Sequence, residues 1–132
     1  MRTRRFVMSA IIAITSAAII VPSALAATWY TSMAMQTSSS GSSRHTWTAA
    51  GTGVDAGGSV VSYTAVKPKI AKSGVGSQSR TKVCNLAARC DESSPYYSGA
   101  GTYQSTASHW YQISGQNRVD LPGSSSPWVT LN

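Results

Sequence analysis

The chain has 132 residues, with eleven lysines and arginines against four acidic residues and a formal net charge of +7. That length accommodates one domain with a modest core and leaves no room for a second. Three of the arginines lie in the first five residues, and beyond Ala26 eight basic residues face four acids, a net +4. So mild a bias suits an anionic surface outside a cell and excludes the dense Lys/Arg footprint of a nucleic-acid binder.

The first segment reads as a leader. Arg2, Arg4 and Arg5 precede an uncharged run from Phe6 to Val21, then Pro22, then Ala24-Leu25-Ala26. Basic end, apolar core and small-residue cleavage site is the order of a secretory signal. The apolar run is expected to form a short helix in the translocation channel, ended by Pro22 so that a peptidase reaches extended backbone. Phe6 follows Arg4-Arg5 directly, which favours the general secretory route over the twin-arginine one. The run spans about 16 residues where roughly 20 are needed to cross a bilayer. The sequence therefore predicts a signal peptide over 1-26, cleavage after Ala26, and a secreted domain over 27-132. The mature form is expected outside the cell, free or associated with the cell wall, and not membrane-spanning.

Cys84 and Cys90 are the only cysteines. An even pair in an exported chain is most simply a disulfide, and five intervening residues do not make the Cys-x-x-Cys arrangement of a redox site. A loop of about seven residues gains roughly 2.4 kcal/mol from closure. That braces a turn without holding up a fold.

Beyond the leader no window of ten residues shows helical apolar spacing, while Ser, Thr and Gly abound. Strands are the default. Trp29, Met33 and Met35 alternate with polar neighbours in a first strand, before a loop expected over 37-43. A second short strand is predicted at 44-50, with Gly51, Gly53, Gly57 and Gly58 in the connection after it. Residues 59-66 form the strongest strand candidate, which Pro68 should cut or place on a sheet edge. A fourth strand follows over about 78-84, and the disulfide returns the chain at Cys90. From Tyr103 to Ile113 the alternation is clearest: Tyr103, Ser105, Ala107, His109, Tyr111 and Ile113 share one face, and Trp110 alone breaks the pattern on the other. Short strands at Arg118-Leu121 and Trp128-Leu131 complete the set. The expected fold is all-β, a single antiparallel β-sandwich of about seven short strands following the signal helix.

The run Ser98-Gly99-Ala100-Gly101-Thr102-Tyr103 entering a strong strand resembles the Gly-x-Tyr entry to the penultimate strand of immunoglobulin-like sandwiches. The layout also resembles small exported proteins of Gram-positive bacteria. The resemblance implies an immunoglobulin-like fold with the Tyr103 hydroxyl bonded back to nearby backbone. The local Cys84 and Cys90 pair departs from the inter-sheet bridge of true immunoglobulin domains. A fold of this kind says nothing about function.

Sites of chemistry are sparse. No Gly-x-Ser-x-Gly elbow accompanies the many serines, and His45 and His109 are the only histidines, so no catalytic residues are assigned and the chain is expected not to be an enzyme. Adjacent Asp91 and Glu92 would point to opposite faces of a strand, unlike the paired acids of a glycosidase, and are expected to decorate the turn after Cys90. No metal site and no cofactor are expected.

Lys67, Lys69, Arg80 and Lys82 fall in a stretch with no acid. On an antiparallel hairpin Lys67 and Lys69 are expected to oppose Arg80 and Lys82, giving a patch for anionic wall polymer, anionic lipid or an acidic protein; edge protection is the competing role. Tyr96 and Tyr97, beside Pro95 in a loop, are candidates for aromatic recognition of a sugar or protein. The functional expectation is a secreted, non-catalytic binding or structural domain at the cell envelope. The alternative is an exported antagonist, either a bacteriocin-like toxin or an inhibitor presenting the Cys84–Cys90 loop to a protease.

Overall fold

A computed structural model describes residues 2-7, 27-40 and 43-132. The strands are β1 (Arg2–Val7), β2 (Thr28–Ser40), β3 (Ser43–Asp55), β4 (Val61–Lys72), β5 (Gly76–Ser79) and β6 (Lys82–Asn85). They continue as β7 (Arg89–Ser93), β8 (Tyr97–Ser98), β9 (Gly101–Ile113), β10 (Val119–Asp120), β11 (Ser124–Ser125) and β12 (Val129–Leu131). All pairings are antiparallel. Sheet A runs β1-β2-β3-β7, with β8 also on β3; sheet B runs β10-β9-β4-β5, with β11 and β12 on β9 and β6 on β4. The expected antiparallel β-sandwich is therefore the fold.

It is built differently from seven short strands. Four strands of 12 or 13 residues form its centre, and the short pieces pair along their flanks. The serine-rich stretch predicted as a loop is largely ladder, with β2 paired to β3 without interruption from Thr28↔Asp55 to Ser40↔Ser43. Polar side chains there cost nothing because the strand ends are exposed, and the backbone bonds are the same for any residue but proline.

Pro68 neither ends β4 nor puts it on an edge. β4 lies between β9 and the β5/β6 pair, and the proline acts on its neighbour. Arg80 donates its N–H to the Pro68 carbonyl at 3.2 Å, but Pro68 has no N–H to return. The ladder lapses at Arg80 and Thr81 and resumes in the same register, Lys69↔Ser79 on one side and Val66↔Lys82 on the other.

Gly51 and Gly53, predicted as a connection, sit inside β3 and make room on the outer face of sheet A. Tyr30 is the cross-strand partner of Gly53 and lies flat over it: a Cβ on Gly53 would come within 2.0 Å of the Tyr30 ring. Gly51 likewise lies under the Asp91 carboxylate, 2.1 Å from the position of a Cβ. Arg89 ties the two together, donating to both Asp91 oxygens at 2.8 and 3.1 Å and to the Tyr30 hydroxyl at 3.0 Å. Asp91 and Glu92 thus belong to β7 and not to a turn.

Between the sheets, inward residues of β2, β3, β4 and β9 meet. One apolar cluster joins Ala27, Trp29, Val54, Ala56, Tyr111, Ile113 and Leu121, and a second joins Met33, Ala50, Val66, Cys90 and Ala107. The Cys84–Cys90 disulfide forms as expected, with the Cα atoms 5.5 Å apart, and places Cys90 in the second cluster. The Tyr103 hydroxyl donates to the Gly99 carbonyl at 2.6 Å, the back-bond expected at the entry to β9.

Most of the segment expected to be a leader lies outside the described residues: residues 8-26, including the apolar run beyond Val7 and the expected cleavage site after Ala26. Phe6 and Val7, expected at the start of its helix, instead close β1, which pairs with β2 from Arg2↔Ala34 to Val7↔Trp29. Strand pairing here satisfies the outer backbone groups of β2, which a helix in the same place would leave open. Among the described residues no helix is long and apolar enough to cross a membrane.

The seat of Tyr30 on Gly53 makes a direct test. Gly53→Ala should destabilise the domain by about 1–3 kcal/mol in chemical denaturation, the range for an overpacked contact. The same change in a Tyr30→Ala background should cost much less, because the clashing ring is gone.

Candidate functional site

His109 is 1% exposed and bridges the sandwich. Its Nδ1 is 2.8 Å from Thr52 Oγ1 on β3 of sheet A, and its Nε2 is 3.0 Å from Ser124 Oγ on β11 of sheet B. A neutral imidazole suits this place, with one nitrogen donating and the other accepting. Burial lowers its pKa from 6.5 to about 4, against the smaller pull of a backbone hydrogen bond to Gly51. Serine, histidine and threonine in line resemble a catalytic relay, but a threonine hydroxyl supplies no charge to stabilise an imidazolium. The arrangement joins two sheets.

Other hydroxyls do the same work. Thr48 Oγ1 contacts Ser105 Oγ at 2.7 Å across the core and donates to the Lys69 carbonyl at 2.8 Å. Thr46 Oγ1 is the one buried side-chain polar atom without a partner among the described residues.

On β9 the side chains alternate strictly, with Tyr103, Ser105, Ala107, His109, Tyr111 and Ile113 buried and the residues between them more open. The outer face of sheet B therefore presents Thr106, Ser108 and Trp110 from β9. Beside them on β4 stand Lys69, Lys67 and Ala65, their respective cross-strand partners. Two depressions lie on this face and share Lys67 and Ser108. One, of about 450 Å³, is lined also by Lys69, Thr106, Ala107, Gly123, Ser124 and Ser125. The other, of about 470 Å³, is lined also by Thr81, His109, Trp110, Arg118, Asp120 and Leu121. Arg118 lies over the Trp110 ring at 4.6 Å and pairs with Asp120 at 2.7 Å. The two ion pairs among the described residues are this one and Arg89–Asp91, so no carboxylate is paired with Lys67 or Lys69.

The expected four-residue patch is divided by the register. Lys67 and Lys69 point outward from sheet B, and Lys69 faces Ser79, not a cation. Lys82 faces Val66, and Arg80 follows Pro68, both residues of the buried face of β4. Arg80 and Lys82 thus lie on the other side of the sheet, at its rim near β7, where Arg80 donates to the Ser93 carbonyl at 3.3 Å. A register shifted by one residue would have made all four converge; the observed one places the two pairs on opposite faces.

Tyr96 and Tyr97 also separate. Tyr96 is 52% exposed and stacks on His45 with ring centroids 4.1 Å apart. Tyr97 pairs with Thr46 in β8. Neither lines the depressions beside Lys67 and Lys69.

Sequence reasoning did not bring Trp110, Arg118 and Asp120 to the site. The signal was present in Trp110, the large aromatic on the polar side of an alternating strand, but its partners arrive on and just before β10, whose register the sequence does not set. Comparison with protein-family models, with curated proteins and with solved structures finds no match.

The lowered pKa of His109 gives a pH dependence of known sign. The unfolded chain takes up a proton near pH 6.5 that the folded one refuses until about pH 4. Stability from this group is full above pH 6.5 and falls as the pH drops to 4, by on the order of 3 kcal/mol. His109→Gln should be less stable at neutral pH and lose that part of the acid slope, read from denaturation midpoints at pH 7, 5.5 and 4. Thr46→Val, which removes an unpartnered buried hydroxyl at constant shape, should raise stability by about 1 kcal/mol in the same assay.

Proposed function

We propose that this is a secreted, non-catalytic domain of the cell envelope that adsorbs to an anionic polymer through the outer face of sheet B. The observation that carries the reading is the pair Lys67 and Lys69, charged, exposed and unpaired with any carboxylate, set over a floor of Thr106, Ser108 and Ser125 hydroxyls. Phosphate or carboxylate groups along a polymer would take the ammonium groups as point charges and the hydroxyls as hydrogen-bond donors. The Trp110 ring and Arg118 beside them add a flat surface on which a sugar ring or acyl chain rests. Anionic lipid shares that chemistry, and competition with vesicles separates it from wall polymer. Export supports the setting: the leader-like first 26 residues and the disulfide both suit a compartment outside the cytoplasm.

A second reading, an exported antagonist, draws on the Cys84–Cys90 loop. Leu86 at its tip is 79% exposed and has a positive φ of 52°. A left-handed residue does not match the extended backbone that a protease cleft takes, so this loop would serve as a knob for a protein partner and not as a substrate mimic.

Replacing Lys67 and Lys69 with Gln should abolish sedimentation of the folded protein with anionic wall polymer. Replacing Arg80 and Lys82 should change it little. Wild-type adsorption should weaken from 0.01 M to 0.15 M salt as the screening length shortens from about 30 Å to about 8 Å. Unchanged adsorption of the Lys67/Lys69 double variant would reduce those lysines to surface charge.

A further inference from the structure

Sheet edges differ in how they resist pairing with another chain. The β7 edge of sheet A carries Arg89, Asp91 and Glu92. One edge of sheet B is broken at Arg80–Thr81 and carries Lys82. The other consists of β10, β11 and β12, pieces of two or three residues, with Pro122 and Pro127 between them. Each of these is blunted by charge, shortness or proline. β2 is not. It runs 13 residues, Thr28–Ser40, with no charge, no proline and no glycine. Next to it a groove of about 360 Å³ is lined by Met33, Met35, Pro127, Val129 and Leu131 among others, and Trp128 nearby is 50% exposed.

That edge already accepts a strand. β1 pairs with it over six residues, and β1 belongs to the segment whose removal after Ala26 the sequence predicts. We propose that removing the leader uncovers β2 and that β2 of a second copy takes the place of β1, joining two A sheets across a two-fold axis. In the full chain the leader strand then acts as a guard against this pairing. The inference rests on cleavage of the leader and is independent of the binding face, which lies on sheet B.

A second copy fits because an antiparallel edge is complementary to itself under a two-fold rotation. Parity sets the register. Trp29, Thr31 and Met33 face the core, so in the joined sheet odd residues must oppose odd ones and even residues even ones. The stretch covered by β1, Trp29 to Ala34, has its middle between Thr31 and Ser32; parity puts the axis on a residue, and we place it at the outward-facing Ser32 rather than the buried Thr31. Ser32 opposes its own copy, Thr31 opposes Met33, and Trp29 opposes Met35. The apolar side chains of both copies continue one another along the inner face, beside the groove that Met33 and Met35 line.

The chain from Ala27 retains both apolar clusters, the disulfide and the His109 bridge, so it is the protein to test. In sedimentation equilibrium it should be a dimer and the full 132-residue chain a monomer. Ser32→Cys should crosslink the processed form on a non-reducing gel, because a residue on the axis meets its copy within disulfide reach. Ser38→Cys, exposed on the same strand but off the paired stretch, should not. Ser32→Asp should give a folded monomer, with two carboxylates directly opposed beside Asp91 and Glu92 of each copy. A processed chain that is folded and monomeric overturns the proposal. If that monomer binds a peptide of residues 2-7, the edge takes a foreign strand and the second copy is the wrong occupant. Equal crosslinking at Ser32 and Ser38 would also overturn it, as the contact would then have no register.

Discussion

Two sheets rich in serine and threonine hold face to face only if their inward hydroxyls find one another, and His109 is where that requirement is met most directly. A buried polar group without a partner costs about 1–3 kcal/mol, so a core containing Thr46, Thr48, Thr52, Ser105, His109 and Ser124 would be untenable if each stood alone. Thr52 to His109 and Thr48 to Ser105 satisfy these groups across the gap between the sheets, and His109 to Ser124 does so within sheet B. They also fix the relative position of the sheets more narrowly than apolar contact does, because hydrogen bonds are directional. Apolar clusters built around Trp29 and Met33 fill the rest of the interior. Thr46 is the exception that shows the cost of a polar core.

This bridge also sets the character of the outer faces. With His109 inward, Ser108 and Trp110 must point outward, and β4 in register beside them must present Lys67 and Lys69. The cationic face is thus the reverse side of the polar core. On sheet A the same alternation exposes Gly51 and Gly53, and Tyr30, Asp91 and Arg89 close over them. One outer face is covered by its own side chains. The other leaves two ammonium groups and a line of hydroxyls open to solvent.

Edges complete the division of labour. Charge, proline and short strands blunt three of the four, and the fourth, that of β2, is occupied by β1. The two surfaces proposed for association, a face for charge and an edge for backbone, lie on different sheets, so that each could act without the other.

The sequence by itself determined the features that rest on local alternation and composition. The all-β class, the inward set of β9 from Tyr103 to Ile113, the Cys84–Cys90 bridge and the Tyr103 back-bond each depend on residues close in the chain or on a period of two. The tertiary structure alone decided whatever depends on register between strands far apart. Gly51 and Gly53 look like punctuation until Tyr30 and Asp91 arrive from other strands to cover them. Pro68 looks like a strand end until its missing N–H is seen to interrupt Arg80 instead. Lys67, Lys69, Arg80 and Lys82 look like one patch, but a pairing that sets Val66 against Lys82 sends two of them to each side of the sheet. Alternation tells which residues share a face within a strand; only the hydrogen-bonded register tells which faces meet.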